Sequence, residues 1–285
     1  MNRSRTAALL LAAMTIHTAS AQDAAPPAIP PAPAAPPAAP VAADLPAAAD
    51  LFENYIRAIG GMDAIKRHTS IKYMGTVRIA DMNYSAFLTV WQAAPRSLVM
   101  HVEPPGGARA MQFCDGSRSW GYDAPPAGPG WRFFEGSQHA DILFSSDFYG
   151  DADYKQRYEV IETRERTDFN GRPAFKVYVK CADSREQFLF FDAETALIIG
   201  THTIHDEGGR LTPLIIVNGE YKEVDGVKYV SGQTHRTPGR DVVFTYRVIE
   251  PNPKDMPAIE IPDELKGSAP SPAPKPAPAP APDPK

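Results

Sequence analysis

His202 and His205, flanked by Asp206 and Glu207, make the chain's one His-x-x-His, a spacing that would suit a divalent metal if both rings shared a face. The surrounding residues alternate as in a strand, where positions three apart point to opposite faces. The pattern therefore reads as a polar strand end leading into the Gly208-Gly209 turn. Asp147, Asp151 and Asp153 around Gly150 invite a calcium reading, but the ligand ladder and distal Glu of a calcium loop are missing, and a solvated helix end fits better. Cys114 and Cys181 permit one disulfide in an oxidising compartment. Cys181 is also in phase with Phe175, Val177 and Val179, as a buried small hydrophobe would be. Trp91, Trp120 and Trp131 suit either a binding pocket or an ordinary core. Glu162, Arg164, Glu165 and Arg166 read as a solvated strand face. No Gly-x-Ser-x-Gly elbow, phosphate-cradling Gly loop or His-Glu-x-x-His occurs. With no nucleophile, base or metal constellation, the expectation is a binding protein without a cofactor, not an enzyme.

The first 21 residues set Arg3 and Arg5 before an apolar stretch from Ala7 to Ile16, and Ala19-Ser20-Ala21 then supplies the small-x-small pattern of a signal peptidase site. Cleavage after Ala21 and release into the periplasm follow, because the stretch is far short of the ~20 residues that cross a bilayer. No Cys follows it to accept a lipid. The formal net charge of -5 becomes -7 once Arg3 and Arg5 are removed. An acidic chain without a Lys/Arg cluster has no electrostatic footprint for nucleic acid or anionic headgroups.

Residues 22–49 are almost entirely Ala and Pro, and residues 266–285 return to Pro, Ala and Ser. Such segments bury too little apolar area to offset the entropy of ordering, so both read as disordered. Residues 50–265 are long enough for one domain. It opens with a helix that Asp50 would cap, with Leu51, Tyr55 and Ile59 at helical spacing and Gly60-Gly61 as the left-handed exit; a short helix over Met62 to His68 follows.

Period-2 alternation then takes over. Ile71, Tyr73, Val77 and Ile79 share one face while Lys72, Thr76 and Arg78 share the other. Similar strands are expected at 84–91, 97–102, 109–114, 158–164, 175–181, 186–191, 197–204, 214–217, 227–232 and 242–249, with tight turns at Asp115-Gly116, Asn170-Gly171, Gly208-Gly209 and Asp225-Gly226. Short connections join antiparallel neighbours, which predicts a mainly β (α+β) meander curled into a barrel or half-barrel. One segment breaks the alternation. From Gln138 to Tyr154, the apolar Ile142, Leu143, Phe144, Phe148 and Tyr149 fit one helical face, which would cover the concave side as a lid. Strands apolar on both faces, such as Phe188 to Phe191 and Leu214 to Val217, need cover on both sides, from helices and from a facing sheet or a ligand.

The stretch AFLTVWQAAPRSLVMHVEPPGGARAMQFCDGSRSWGY, residues 86–122, resembles the LolA/LolB-like lipoprotein-carrier superfamily: a strand ending in Pro95, an apolar strand over Leu98 to Val102, then Asp115-Gly116 with Trp120 and Tyr122. The opening AIGGMDAIKRHTSIKYMGTV, the segment near Asp141 to Tyr149, FFDAETALI, EVDGVKYV and the closing residues 252–262 extend the resemblance over about residues 50–265. It implies an unclosed antiparallel β-barrel with helices as a lid over a hydrophobic cavity, and carriage of lipidated proteins or other lipids. In the lipoprotein carrier an Arg before the strand-ending Pro holds the lid by hydrogen bonds to the helix backbone. Here that position is Ala94, and Leu98 replaces the aromatic three residues after the Pro. Without the Arg, closure is expected to rest on apolar contacts, with Arg96 as a substitute only if the chain stays extended through Pro95.

The expected function is thus a periplasmic binding or carrier protein for a lipid or acylated protein. The alternative is an envelope sensor or adaptor that binds a protein partner through the open sheet edge. The candidate ligand-binding residues are Leu88, Val90, Leu98, Met100, Trp120, Ile142, Phe144 and Phe148.

Overall fold

The computed structural model describes residues 45–107, 109–123, 130–207 and 210–267. The expected signal peptide, residues 22–44 of the linker, the Gly208-Gly209 turn and the tail from 268 lie outside the described residues. Helix α1 (Ala48–Ala58) starts two residues before Asp50, and Ala47 occupies the N-cap without a side-chain bond. Asp50 instead lies in the first turn, where its carboxylate faces the positive end of the helix dipole. The expected linker boundary also moves, since the carbonyl of Pro46 accepts a hydrogen bond from Thr163 Oγ1 at 2.8 Å. Gly60 and Gly61 exit with φ of 126° and 84° into α2 (Met62–Arg67). A Cβ on Gly60 would lie 2.2 Å from the Gly226 carbonyl, so this close approach requires glycine.

Thirteen strands form one antiparallel sheet. The first six are β1 (Ser70–Ile79), β2 (Tyr84–Ala93), β3 (Ser97–Glu103), β4 (Ala110–Cys114), β5 (Ser119–Asp123) and β6 (Gly130–Phe133). The later ones are β7 (Tyr158–Phe169), β8 (Arg172–Cys181), β9 (Glu186–Asp192), β10 (Ile198–Glu207), β11 (Arg210–Asn218), β14 (Gly232–Thr237) and β15 (Arg240–Pro251). β1 pairs with both β2 and β15, so each half of the chain meanders outward from the centre. The sheet does not close: β6 and β7, consecutive in the chain, lie at opposite edges. The expected single strand over 227–232 divides, because β13 (Val227–Val230) leaves the main sheet to pair with β12 (Tyr221–Val224) around the Asp225-Gly226 turn. β5, β6, β12 and β14 beyond Gly232 were not among the expected strands; they are short, four to six residues each, and carry Gly, polar or charged positions that blur the alternation.

The connection from β6 to β7 must span the mouth of the curled sheet, and it supplies the covering helices. The single helix expected over 138–154 is interrupted: α3 (Gly136–Ser145) ends, and a 3-10 turn (Gly150–Asp153) and a short α4 (Tyr154–Arg157) follow. Ser145 and Ser146 donate back to the carbonyls of Asp141 and Leu143, each at 2.8 Å, which diverts the last turn. The Phe148 N–H then donates to the Pro95 carbonyl at 3.1 Å and carries the chain away from the helix axis.

Two inner cores result. At the β7–β9 end, Phe52 of α1 is fully buried, stacked on Tyr154 with centroids 4.5 Å apart and edge-on to Phe191 at 5.0 Å. At the β1–β5 end, Ile142 of α3 packs with Val77, Leu88, Leu98 and Phe134. The doubly apolar strands cover their outer faces by cross-strand packing: Phe190 stacks on Phe169 at 4.2 Å, and the Phe169 ring lies over Gly200. Over β1 to β6 the chain after β15 runs back along the outer face, where Asp255 pairs with Lys72 and Leu265 is buried against β6.

Candidate ligand-binding cavity

Between the two cores lies a cavity of about 600 Å³. Strand parity makes one wall apolar: Val77 from β1, Leu88 and Val90 from β2, and Leu98, Met100 and Val102 from β3 all point inward. Ile142 and Phe144 of α3, with Phe148 just beyond it, form the roof. Seven of the eight candidate residues therefore line one cavity. The opposite wall is mixed, with Leu189, Leu214 and Ile216 beside Gln187, Gln233 and His235. Burial among Phe244 and its neighbours holds the His235 imidazole down to about 4, so it is neutral at pH 7. Burial likewise raises Tyr246 to about 12, and it pushes Tyr73 and Tyr229 upward, so these phenols stay protonated.

Trp120 is the exception. Its strand pairs it with Phe113, which opposes Val99, which opposes Trp91, so all four side chains point to the outer face. Trp120 stacks on Phe113 at 5.8 Å and is fully buried there, while Phe134 fills the space over Gly121 on the inner side. Trp131 joins this outer cluster beside Tyr122 and Phe113. Cys114 and Cys181 are free and buried, in the two separate inner cores. Among the described residues no group of three metal-ligating side chains occurs.

The helix α3 is held by polar contacts as well as apolar ones, contrary to the expectation drawn from Ala94. Gln92, two residues earlier on β2, donates from Nε2 to the Ser145 carbonyl at 2.9 Å, which supplies a side-chain hydrogen bond to the helix backbone. Arg96 stays exposed and reaches only Asp147, at 4.0 Å. His205 turns inward, opposite in face to His202, and its Nδ1 lies 2.8 Å from Asp141, which also pairs with Arg185. Desolvation would raise the Asp141 carboxyl, but the hydrogen bonds from His205 and Arg185 outweigh it and hold it below the usual range. The expected solvated aspartates are also engaged. Arg157, 10% exposed, bonds Asp147 at 2.9 Å and lies 3.6 Å from Asp151, and Asp153 pairs with Lys66 at 3.0 Å. The guanidinium groups of Arg157 and Arg185 lie 3.8 and 4.6 Å from the centre of the Phe144 ring. The sequence carried no signal for Arg157, Arg185 or Gln92 as anchors, since each meets a partner brought near only by folding.

A curled, unclosed antiparallel sheet with helices spanning its mouth over an apolar cavity defines a half-barrel fold. Comparison with protein-family models and with curated protein sequences returned no match, whereas solved structures did match. A LolA superfamily protein from Nitrosomonas europaea superposes with a TM-score of 0.50 at 11% identity, covering 78% of this chain and 97% of that one. A Vibrio parahaemolyticus domain described as an outer membrane lipoprotein-sorting protein gives 0.50 at 9% identity, over 76% and 94%. A DUF1329 family protein from Desulfovibrio piger gives 0.50 at 10% identity, over 76% and 96%. The chain has the LolA-like fold. No helix among the described residues is long and apolar enough to cross a membrane.

Proposed function

We propose that this protein is an exported binding or carrier protein that holds the acyl part of a lipid or lipidated protein within its half-barrel, and that it works by binding, not catalysis. The observation that carries this reading is the cavity of about 600 Å³, with an apolar β1–β3 wall and a roof of Ile142, Phe144 and Phe148. That volume lies within the range of small-molecule sites, and sites of this kind are mostly apolar with a few placed polar groups. The N-terminal pattern ending at Ala21 and the fold shared with a protein described as lipoprotein-sorting both support work in the periplasm. Mass spectrometry of organic extracts from protein purified out of its native host tests the proposal. Acylated species at near-stoichiometric amounts are expected. Extracts free of them, with no uptake of a fluorescent acyl probe, would overturn it, and an empty cavity with a co-purifying protein would favour an adaptor.

A further inference from the structure

Thr237 and Arg240 belong both to the cavity and to a shallow surface pocket of about 360 Å³, completed by Ala80, Asp81, Gly239 and Asp241 at the β14–β15 turn. We propose that this pocket receives the zwitterionic headgroup of a single-chain lipid whose acyl chain fills the cavity, an inference that rests on the cavity reading above and names its ligand class.

The polar residues of the cavity are not scattered. Gln233, His235 and Thr237 occupy alternate positions of β14, so their side chains form one file along its inner face, and Thr237 pairs with Arg240 on β15. The file runs from the interior to the rim and ends in a guanidinium. Beside it β15 presents Val242, Phe244 and Tyr246, which lead on to the apolar β1–β3 wall. A ligand matched to both sides is amphipathic, with its chain on the apolar wall and its head at Arg240.

The charges at the rim select the kind of head. Arg240, 25% exposed, is only loosely paired, its Nε 3.5 Å from the carboxylate of Asp81, which is 42% exposed. Asp241 turns to the other face of the sheet, where it lies 3.7 Å from Arg236. Arg157, the guanidinium at the other side of the cavity, is by contrast committed to Asp147 and Asp151. A simple anion at Arg240 would meet the Asp81 carboxylate, and a simple cation would meet the guanidinium. A phosphate joined to an ammonium satisfies both groups, because the planar guanidinium bonds phosphate oxygens while the Asp81 carboxylate accepts from the amine.

The volume sets the number of chains. The cavity of about 600 Å³ is of the size that takes one small-molecule ligand, and a single acyl chain fits it.

The test is displacement of a pyrene-labelled monoacylglycerol from the full chain by three 16-carbon competitors below their micelle-forming concentrations: lysophosphatidylethanolamine, lysophosphatidylglycerol and unlabelled monoacylglycerol. The zwitterionic lipid should displace the probe at about tenfold lower concentration than monoacylglycerol, as a charge-assisted hydrogen bond would give. Arg240→Gln, and separately Asp81→Asn, should shrink that advantage, read as the ratio of the two lipids' potencies within each variant, with circular dichroism showing that both variants fold. Equal potency of all three competitors, a preference for the anionic lipid, or an advantage untouched by both substitutions would each overturn the headgroup proposal and leave the cavity reading standing. Failure of the wild-type protein to bind the pyrene probe would overturn both.

Discussion

Arg157 bonds Asp147 at 2.9 Å, and this pair ties the segment that follows α3 to the start of β7, directly beneath the cavity roof. Burial disfavours the guanidinium charge, but Tyr158, Asp151 and Asp147 outweigh it and hold the Arg157 pKa above its ordinary value. Replacing Arg157 by Met strands two partly buried carboxylates. The expected loss is about 3 kcal/mol of unfolding free energy, measured by urea denaturation, since breaking one partner of a buried pair typically costs ~3 to 5 kcal/mol. A loss below about 0.5 kcal/mol would mean that the pair behaves as a surface contact.

Gln92 anchors α3 through the Ser145 carbonyl. Gln92→Ala should destabilise the protein by about 1 kcal/mol and speed amide exchange over 136–145. Ala94→Arg should slow that exchange little, because the Ser145 carbonyl is already engaged. If Ala94→Arg protects the helix strongly and Gln92→Ala does nothing, this account of lid anchoring is wrong.

Ile142 is 3% exposed and contacts both the cavity and the β1–β5 core. Ile142→Asp buries a carboxylate with no partner, at a cost of several kcal/mol. It should unfold the protein or abolish acyl-probe binding. Phe148→Asp, at the less buried rim of the roof, should keep the fold, as read by circular dichroism, while weakening the probe. Wild-type binding by both variants would make the segment a plain surface helix.

His235 gives a pH signature whose sign follows from its lowered pKa. Between an unfolded value of about 6.5 and a folded value of about 4, the unfolded chain takes up a proton that the folded chain refuses. Stability contributed by the neutral ring is intact well above pH 6.5, falls as pH drops through 6.5 toward 4, and levels below 4 after a total loss of roughly 3 kcal/mol. His235→Gln should flatten the curve in that window. Parallel curves for the two proteins between pH 4 and 7 would show that the ring is solvated.

Gly200 lies under the Phe169 ring. An added Cβ would sit 2.3 Å from that ring and 2.5 Å from the Ile216 carbonyl, so Gly200→Ala should cost about 1 to 3 kcal/mol in thermal or chemical unfolding. An unchanged midpoint would show that the outer aromatic layer yields freely.

Much of this was legible in local pattern. The alternation of Ile71, Tyr73 and Val77 marked the inward face of β1, and Leu98 and Met100 marked that of β3, because a half-buried strand writes its burial directly into period 2. Asn170-Gly171 and Asp225-Gly226 announced their hairpins because both residues of each pair must adopt positive φ, as they do.

What the tertiary structure alone decided depends on which strands become neighbours. Trp120 has large apolar neighbours whichever face it takes, so only its registry with Phe113 and Val99 sends it outward. His205 and Asp141, or Arg157 and Phe144, meet only because β6 and β7 end at opposite edges and force their connection across the open mouth of the sheet. The residues from Asp50 to Leu265 carry the periodicities of a curled antiparallel sheet, since those record local burial. The pairs of Asp141 with Arg185 and His205, and of Asp81 with Arg240, join side chains far apart in the chain, and no local periodicity records a contact that folding creates.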